Sequence, residues 1–219
     1  MDAVKATGVI LAGGDSRRMG RNKALMRLGD ETLISRTLKR LQSVTDETII
    51  IANSVHLYSE LDVRVYEDLI PESGALGGVY TGLTHAVNSA VVCVACDMPL
   101  LKPELMNYLL SVLGEHDAVV PYTQELEESN PKLQTLCAVY ARRCKRVVRQ
   151  MLEGGELRLH ALCDRIKVRR VPPVEWRDFD PDGLSFVNVN TREDFERVKK
   201  MLEHEMMGEV DDVNCRRSA

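Results

Sequence analysis

Residues 11–25 read LAGGDSRRMGRNKAL, placing three glycines and the cations Arg17, Arg18, Arg21 and Lys23 in one short run of a chain whose formal net charge is −4. An apolar strand pattern, TGVILAG, leads into it. Glycines at the end of a strand let backbone N–H groups approach a ligand closely and permit positive φ. The neighbouring cations suit a ligand carrying several negative groups, and a polyphosphate meets that description. The competing reading is a tight strand-to-helix turn with a solvated basic face. Two familiar phosphate loops do not fit. A P-loop has four residues between its glycines and then Gly-Lys-Ser/Thr, whereas five residues separate Gly14 from Gly20 and Arg21 follows. The dinucleotide fingerprint G-x-G-x-x-G is absent, because Gly13-Gly14-Asp15-Ser16 breaks it.

The second chemically loaded stretch is VVCVACDMPLL, residues 91–101. Asp97 terminates an apolar strand, where an ionised carboxylate is costly without a partner. Mg²⁺ is such a partner, since it is held by one or two carboxylates together with substrate phosphates. A role as N-cap for the helix starting near Pro103 would place Asp97 several residues too early. Pro99 lacks an N–H and turns the chain, holding Asp97 at the strand end. Cys93 and Cys96 in the same strand form a C-x-x-C, the spacing of a redox pair or half a zinc site. Residues three apart in a strand point to opposite faces, so these thiols diverge and read as core.

Those residues need strands and helices to position them, and the hydrophobic pattern supplies both. Strands are expected at TGVILAG, TIIIAN, VRVYED, AVVCVACD, AVVPY, TLCAVY, KVRRV and FVNVN. ETLISRTLKRLQSV is a helix with Leu33, Ile34, Thr37, Leu38 and Leu41 on one face. SVHLYSEL and LRLHALCDRI carry shorter helical patterns, and GGVYTGLTHAVN is a further helix. Another runs from Pro103, in the favoured first position, to Leu113. ARRCKRVVRQMLEGG is a basic helix, either a solvated face or a surface that holds an anionic acceptor. TQELEESNPK is an acidic surface loop, and Thr191 with Asp194 forms a short capping box for a last amphipathic helix. Apolar strands alternating with helices imply an α/β fold: one domain over residues 1–207, with a mostly parallel sheet covered on both faces and a polar, frayed tail over 208–219. Ligands of such folds sit beyond the carboxyl ends of the strands, which brings the basic loop and Asp97 to one crevice, a Mg-nucleotide site.

Composition agrees with a soluble globular protein. Of the 219 residues 44% are hydrophobic and 28% charged. The acidic balance gives no electrostatic reason to expect nucleic acid or an anionic membrane as partner. No apolar run approaches the roughly 20 residues of a spanning helix, and the apolar core of MDAVKATGVILAGG is too short for a signal peptide. A cytoplasmic location is the resulting expectation. The six cysteines show no disulfide framework, and the five histidines fall on helices or loops without evident partners.

The run LAGGDSRRMGRNKAL fits L-A-G-G-x-S-x-R-M-G-x-x-K-x-L. With GALGGV, CDMPLL and FVNVNT in the same order, the chain resembles the molybdenum cofactor guanylyltransferases of MobA type from about Gly8 to Lys200. The resemblance implies a Rossmann-like nucleotidyltransferase fold and transfer of GMP from GTP to a terminal phosphate of molybdopterin, with release of pyrophosphate and with Mg²⁺ as cofactor. It also implies transient contact with proteins that deliver the molybdenum cofactor. Leu11, Ala12, Gly13 and Gly14 would wrap base and ribose, with Arg18 and Lys23 on the phosphates as catalytic cations. Asn53 would contact the nucleotide, Asp68 would read the guanine edge, and Asp97 would be the catalytic metal ligand. Asn188 and Asn190 would close the site near the reacting phosphates, although Asn190 also suits a plain turn before the last helix. GELRLHALC resembles a pterin-side segment, with Arg158 as a cofactor-phosphate contact.

Relatives that transfer cytidylyl groups carry L-A-A-G where this chain has Leu11-Ala12-Gly13-Gly14, and glycine at position 13 leaves room for a purine. Ala75 and Thr135 stand where the family usually has prolines, so the acceptor is less defined than the nucleotide. Cytidylyl transfer to the same cofactor, transfer to a sugar or isoprenoid phosphate, and a non-catalytic nucleotide sensor are the rival functions. A sensor would be expected to lose Lys23 or Asp97, and both are present.

Overall fold

Alternation of apolar strands and amphipathic helices produces a three-layer α/β arrangement. A computed structural model of the chain describes residues 4–13, 23–123 and 131–202. In chain order the elements are β1 (Ala6–Leu11), β2 (Arg27–Leu28), β3 (Glu31–Thr32), α1 (Leu33–Gln42), β4 (Glu47–Ile51), β5 (Arg64–Tyr66) and α2 (Gly74–His85). They continue with β6 (Ala90–Ala95), α3 (Pro103–Ser111), β7 (Ala118–Thr123), β8 (Lys132–Leu133), β9 (Cys137–Ala141), α4 (Lys145–Glu153), β10 (Val168–Val171) and α5 (Pro173–Trp176). A last helix, α6, occupies 192–202. Among the described residues no helix is long and apolar enough to cross a membrane.

The main sheet has the order β10-β7-β9-β6-β1-β4-β5, with β8 paired to β7. Along that path only β9 runs against the rest, because it is antiparallel to both β6 and β7 while the other pairings are parallel. The chain passes outward through β1, β4 and β5, then returns over α2 to lay β6 on the other side of β1. That reversal opens a crevice at the carboxyl ends of β1 and β6, where ligands of doubly wound sheets bind.

Helices cover both faces. Ile34, Leu38 and Leu41 of α1 and Leu105, Met106 and Leu109 of α3 bury one face with Ile10, Ile50, Val92 and Val94. Leu76, Val79 and Leu83 of α2 and Val148 and Met151 of α4 bury the other with Val9, Ile49, Val91 and Cys93. The expected stripe of α1 is the buried one, and its Thr32 cap accepts a hydrogen bond from the Ser35 N–H. Pro103 opens α3 as expected. Cys93 and Cys96 do point to opposite sheet faces, and both are free thiols.

Several expectations change. FVNVN is not a strand: residues 184–186 form a 3-10 turn and 187–190 join no ladder. Its apolar alternation reflects a small separate cluster in which Val189 is buried with Leu28, Leu33, Leu100, Val198 and Leu202. The proline-rich PPVEW contains the short helix α5, whose Trp176 indole N–H donates to the Tyr122 carbonyl at 2.9 Å. Helix α2 starts a turn earlier than its pattern indicated, at Gly74 with φ of 61°. The acidic loop is bounded by β7 and β8, and its residues 124–130 lie outside the described residues, as does the tail from 203.

The seating of α2 depends on missing side chains. A Cβ built at Gly82 would lie 2.6 Å from Val9 Cγ1, and one at Gly78 would lie 3.1 Å from Leu11 Cδ2. These glycines are four apart and face β1 together. Gly82→Ala should therefore destabilise the fold by about 1–3 kcal/mol through overpacking. Helix propensity alone predicts the opposite sign, a gain of about 1 kcal/mol. Denaturant unfolding of the variant reads the sign directly, and a stabilised variant would show that α2 does not rely on this close approach.

Candidate active site

The parallel ladder brings four strand ends side by side. Hydrogen bonding continues one residue past each end: Cys96 N–H donates to the Leu11 carbonyl (3.1 Å), Ala12 N–H to Ile51 (2.8 Å) and Ala52 N–H to Tyr66 (3.0 Å). The residues that follow are Asp97 after β6, Gly13 after β1, Asn53 after β4 and Asp68 after β5. With neighbouring strands about 4.8 Å apart, this row spans roughly 14 Å along the sheet edge. The Asn53 amide donates to the Gly13 carbonyl at 3.4 Å. Gly13 is exposed and does not have a positive φ, so its role is space rather than a left-handed turn. Among the described residues, the atoms nearest a Cβ there are those of the Asn53 side-chain amide, the first at 3.6 Å.

At one end of the row Asp97 is half-buried. Burial pushes its carboxyl above the ordinary carboxylate range, while the Lys23 ammonium and a hydrogen bond from Asn188 pull it back. The Asn188 amide donates to Asp97 Oδ1 at 3.2 Å, and Val189 N–H donates to the Asp97 carbonyl at 2.9 Å. Lys23 Nζ in turn donates to Asn190 Oδ1 at 3.3 Å. Lys23, Asp97, Asn188 and Asn190, remote in sequence, therefore meet at one place. The Asn190 segment is held by the expected capping box: Asp194 Oδ2 accepts from the N–H groups of Asn190 (3.1 Å) and Thr191 (3.0 Å), and Thr191 Oγ1 accepts from Asp194 N–H.

A hard divalent cation suits this end. Among the described residues no group of three or more His, Cys, Asp or Glu side chains could cage a metal. A single desolvated carboxylate with one side-chain hydrogen bond is the donor set that Mg²⁺ completes with substrate phosphates and water.

At the other end Asp68 is also half-buried, and burial raises its carboxyl pKa against three hydrogen bonds that lower it. One comes from Thr81, whose hydroxyl donates to Asp68 Oδ1 at 2.7 Å. Thr81 was not among the residues the sequence motifs pointed to. Its signal was a polar residue on the sheet-facing side of α2, where it is fully buried.

Gly14 and Arg18 fall outside the described residues, together with Arg17 and Arg21. Arg158 pairs with Glu156 at 2.7 and 2.9 Å and touches none of the row. Among the histidines, His85 does have a partner, stacking on Tyr66 with ring centroids 3.8 Å apart.

The chain is similar over most of its length to known proteins. The MobA-like NTP transferase domain family matches residues 8–168. A molybdenum cofactor guanylyltransferase of Desulfosudis oleivorans is 36% identical, with 92% of this chain and 97% of that protein aligned. A probable molybdenum cofactor guanylyltransferase of Pelotomaculum thermopropionicum is 35% identical, over 94% of this chain and 98% of that one. The crystal structure of molybdopterin-guanine dinucleotide biosynthesis protein A from Archaeoglobus fulgidus superposes with a TM-score of 0.76 at 26% identity, covering 90% of this chain and 99% of that one. The chain belongs to the MobA-like NTP transferase family.

Proposed function

We propose that this protein transfers the guanylyl group of GTP to the terminal phosphate of molybdopterin, the step that yields the guanine dinucleotide form of the molybdenum cofactor. The observation that carries the reading is the ordered row at the carboxyl ends of β6, β1, β4 and β5. It has a carboxylate with a lysine at one end and a second carboxylate, suited to a base edge, at the other. Full-length similarity to relatives named molybdenum cofactor guanylyltransferases supports the same substrate pair.

In this reading Leu11 to Gly14 and Asn53 hold base and ribose, and Asp68 accepts hydrogen bonds from the guanine edge. Lys23 and Arg18 neutralise the phosphates. Asp97 would hold Mg²⁺, which when bound supplies charge neutralisation at the phosphates. An anionic oxygen of the molybdopterin phosphate attacks the α-phosphorus of GTP. A new P–O bond forms, the α–β bridging bond breaks, and the electron pair leaves with pyrophosphate. A phosphate monoester is already anionic, so no strong general base is required, and positioning and charge carry the step. Asn188 and Asn190 hold Asp97 and Lys23 in register. Glu156 occupies the Nε and Nη2 edge of Arg158, which leaves the Nη1 donors of this exposed guanidinium to take a cofactor phosphate.

The direct test is pyrophosphate release from each of the four nucleoside triphosphates with purified molybdopterin and Mg²⁺. Turnover is expected with GTP; cytidylyl transfer to the same acceptor, or no turnover with it, would overturn the assignment.

Asp97→Asn should lower turnover by about a hundredfold or more, the scale of several kcal/mol of metal-assisted stabilisation. Its effect on folding has the opposite sign. Because burial raises the Asp97 pKa, the folded state loses stability as pH rises through the range just above the ordinary carboxylate value. The amide has no such titration, so without ligands the variant should melt at or above the wild-type temperature at neutral pH. The two curves should converge in acid. A folded variant with wild-type rate and Mg²⁺ dependence would make Asp97 structural.

Gly13→Ala should fold normally, since the nearest described neighbour of its methyl, Asn53, lies at ordinary van der Waals distance. That methyl nonetheless occupies the edge of the base site. Competition binding should show a larger loss for GTP than for CTP; equal losses would remove Gly13 from the base pocket.

A further inference from the structure

The hydroxyl of Thr81 is the group left over once the mechanism is assembled. Thr81 sits mid-way along α2 with no exposed surface. Helical threonines commonly return their hydroxyl to the carbonyl four residues earlier. Thr37 does so to Leu33 at 3.1 Å, and Thr84 to Tyr80 at 2.8 Å. Thr81 reaches out of its helix instead. Its Oγ1 accepts from the Leu69 N–H at 3.0 Å and donates to Asp68 Oδ1 at 2.7 Å. Because Leu69 occupies the acceptor side of the hydroxyl, the proton is directed at the carboxylate. The backbone amides of Leu69 and Ile70 also favour the ionised carboxylate, but they belong to its own loop. Thr81 is the contact that ties it to a rigid element.

We propose that Thr81 is a positioning residue for base selection: by clamping Asp68 Oδ1 from α2, it aims the carboxylate so that both oxygens can accept from the N1–H and 2-amino groups of guanine. The proposal rests on the reading of Asp68 as the base contact. A carboxylate locked in one plane rewards a ligand with two parallel donors; one free to rotate accepts a single donor about as well as two.

The test compares GTP with inosine triphosphate, which lacks the 2-amino group, by kcat/KM with molybdopterin as acceptor. Thr81→Val keeps the shape and removes the hydroxyl. It should reduce the preference for GTP over inosine triphosphate by about tenfold, the scale of one hydrogen bond to a charged group. The change should appear in KM, with kcat at saturating nucleotide nearly intact. Thr81→Ser should restore the preference. Thermal melts check folding, and Thr81→Ala decides the matter if the valine variant does not fold. In an Asp68→Ala background Thr81→Val should cause no further loss of preference. Wild-type preference in a folded Thr81→Val or Thr81→Ala variant, alongside its loss in Asp68→Ala, would overturn the positioning role alone. So would a further drop in the Asp68→Ala background, which would make Thr81 a support of the loop backbone. Retained preference in Asp68→Ala would instead remove Asp68 from base recognition and take the proposal with it.

Discussion

The parallel ladder through β6, β1, β4 and β5 is the constraint on which the site depends. Parallel strands with shared direction end at one edge, so four residues that follow four separate strands must lie in a row. Hydrogen bonds one residue beyond the strand ends extend that order into the loops before the chain diverges. The close approach of α2 to β1, permitted by Gly78 and Gly82, keeps the same helix within reach of the loop after β5. A polyanion lying along such an edge meets different chemistry at each strand end without any loop having to reach across the crevice.

The two carboxylates at the ends of the row share one electrostatic condition. Both are desolvated enough that burial raises their pKa, and each is partly compensated by neighbours. The compensation differs. Asp97 has a cation nearby and one amide donor, which leaves it suited to a further positive charge. Among the described residues the donors to Asp68 are neutral, an environment that suits accepting from a neutral ligand edge. In the proposed function the same residue type would serve phosphate chemistry at one end and base recognition at the other.

The segment 187–190 shows how the periphery is tied to the chemistry. Its backbone docks on the Asp97 carbonyl, Asn188 reaches the carboxylate and Asn190 reaches Lys23. Val189 between them is buried in the small cluster that seats α6 and the β2–β3 hairpin. Packing of the last described helix and alignment of the reacting end are thus one structural event, with the Thr191–Asp194 box setting where the helix begins.

Local pattern determined much of this on its own. The alternation of apolar runs and helical stripes specified an α/β sheet, the α1 face, the Pro103 start and the divergence of Cys93 from Cys96, because each follows from periodicity within a few residues. The glycine-cation loop and the strand-end Asp97 raised the expectation of a polyphosphate site, because cations gathered beside glycines suit a polyanion and a strand-end carboxylate is costly without a partner. What the sequence did not determine is whatever depends on contacts across the chain. Residues 186–190 alternate like a strand, yet the N–H groups of Phe186 and Val187 turn back to Gly183 and Leu184, and those of Val189 and Asn190 go to Asp97 and Asp194, not to a neighbouring strand. His85 has no partner until β5 brings Tyr66 against it, and Thr81 reads as a helix residue until the loop after β5 folds back to place Asp68 on its hydroxyl. Periodicity records which face of an element is buried; which polar group waits on that face is settled only when the sheet order brings remote segments within hydrogen-bonding distance.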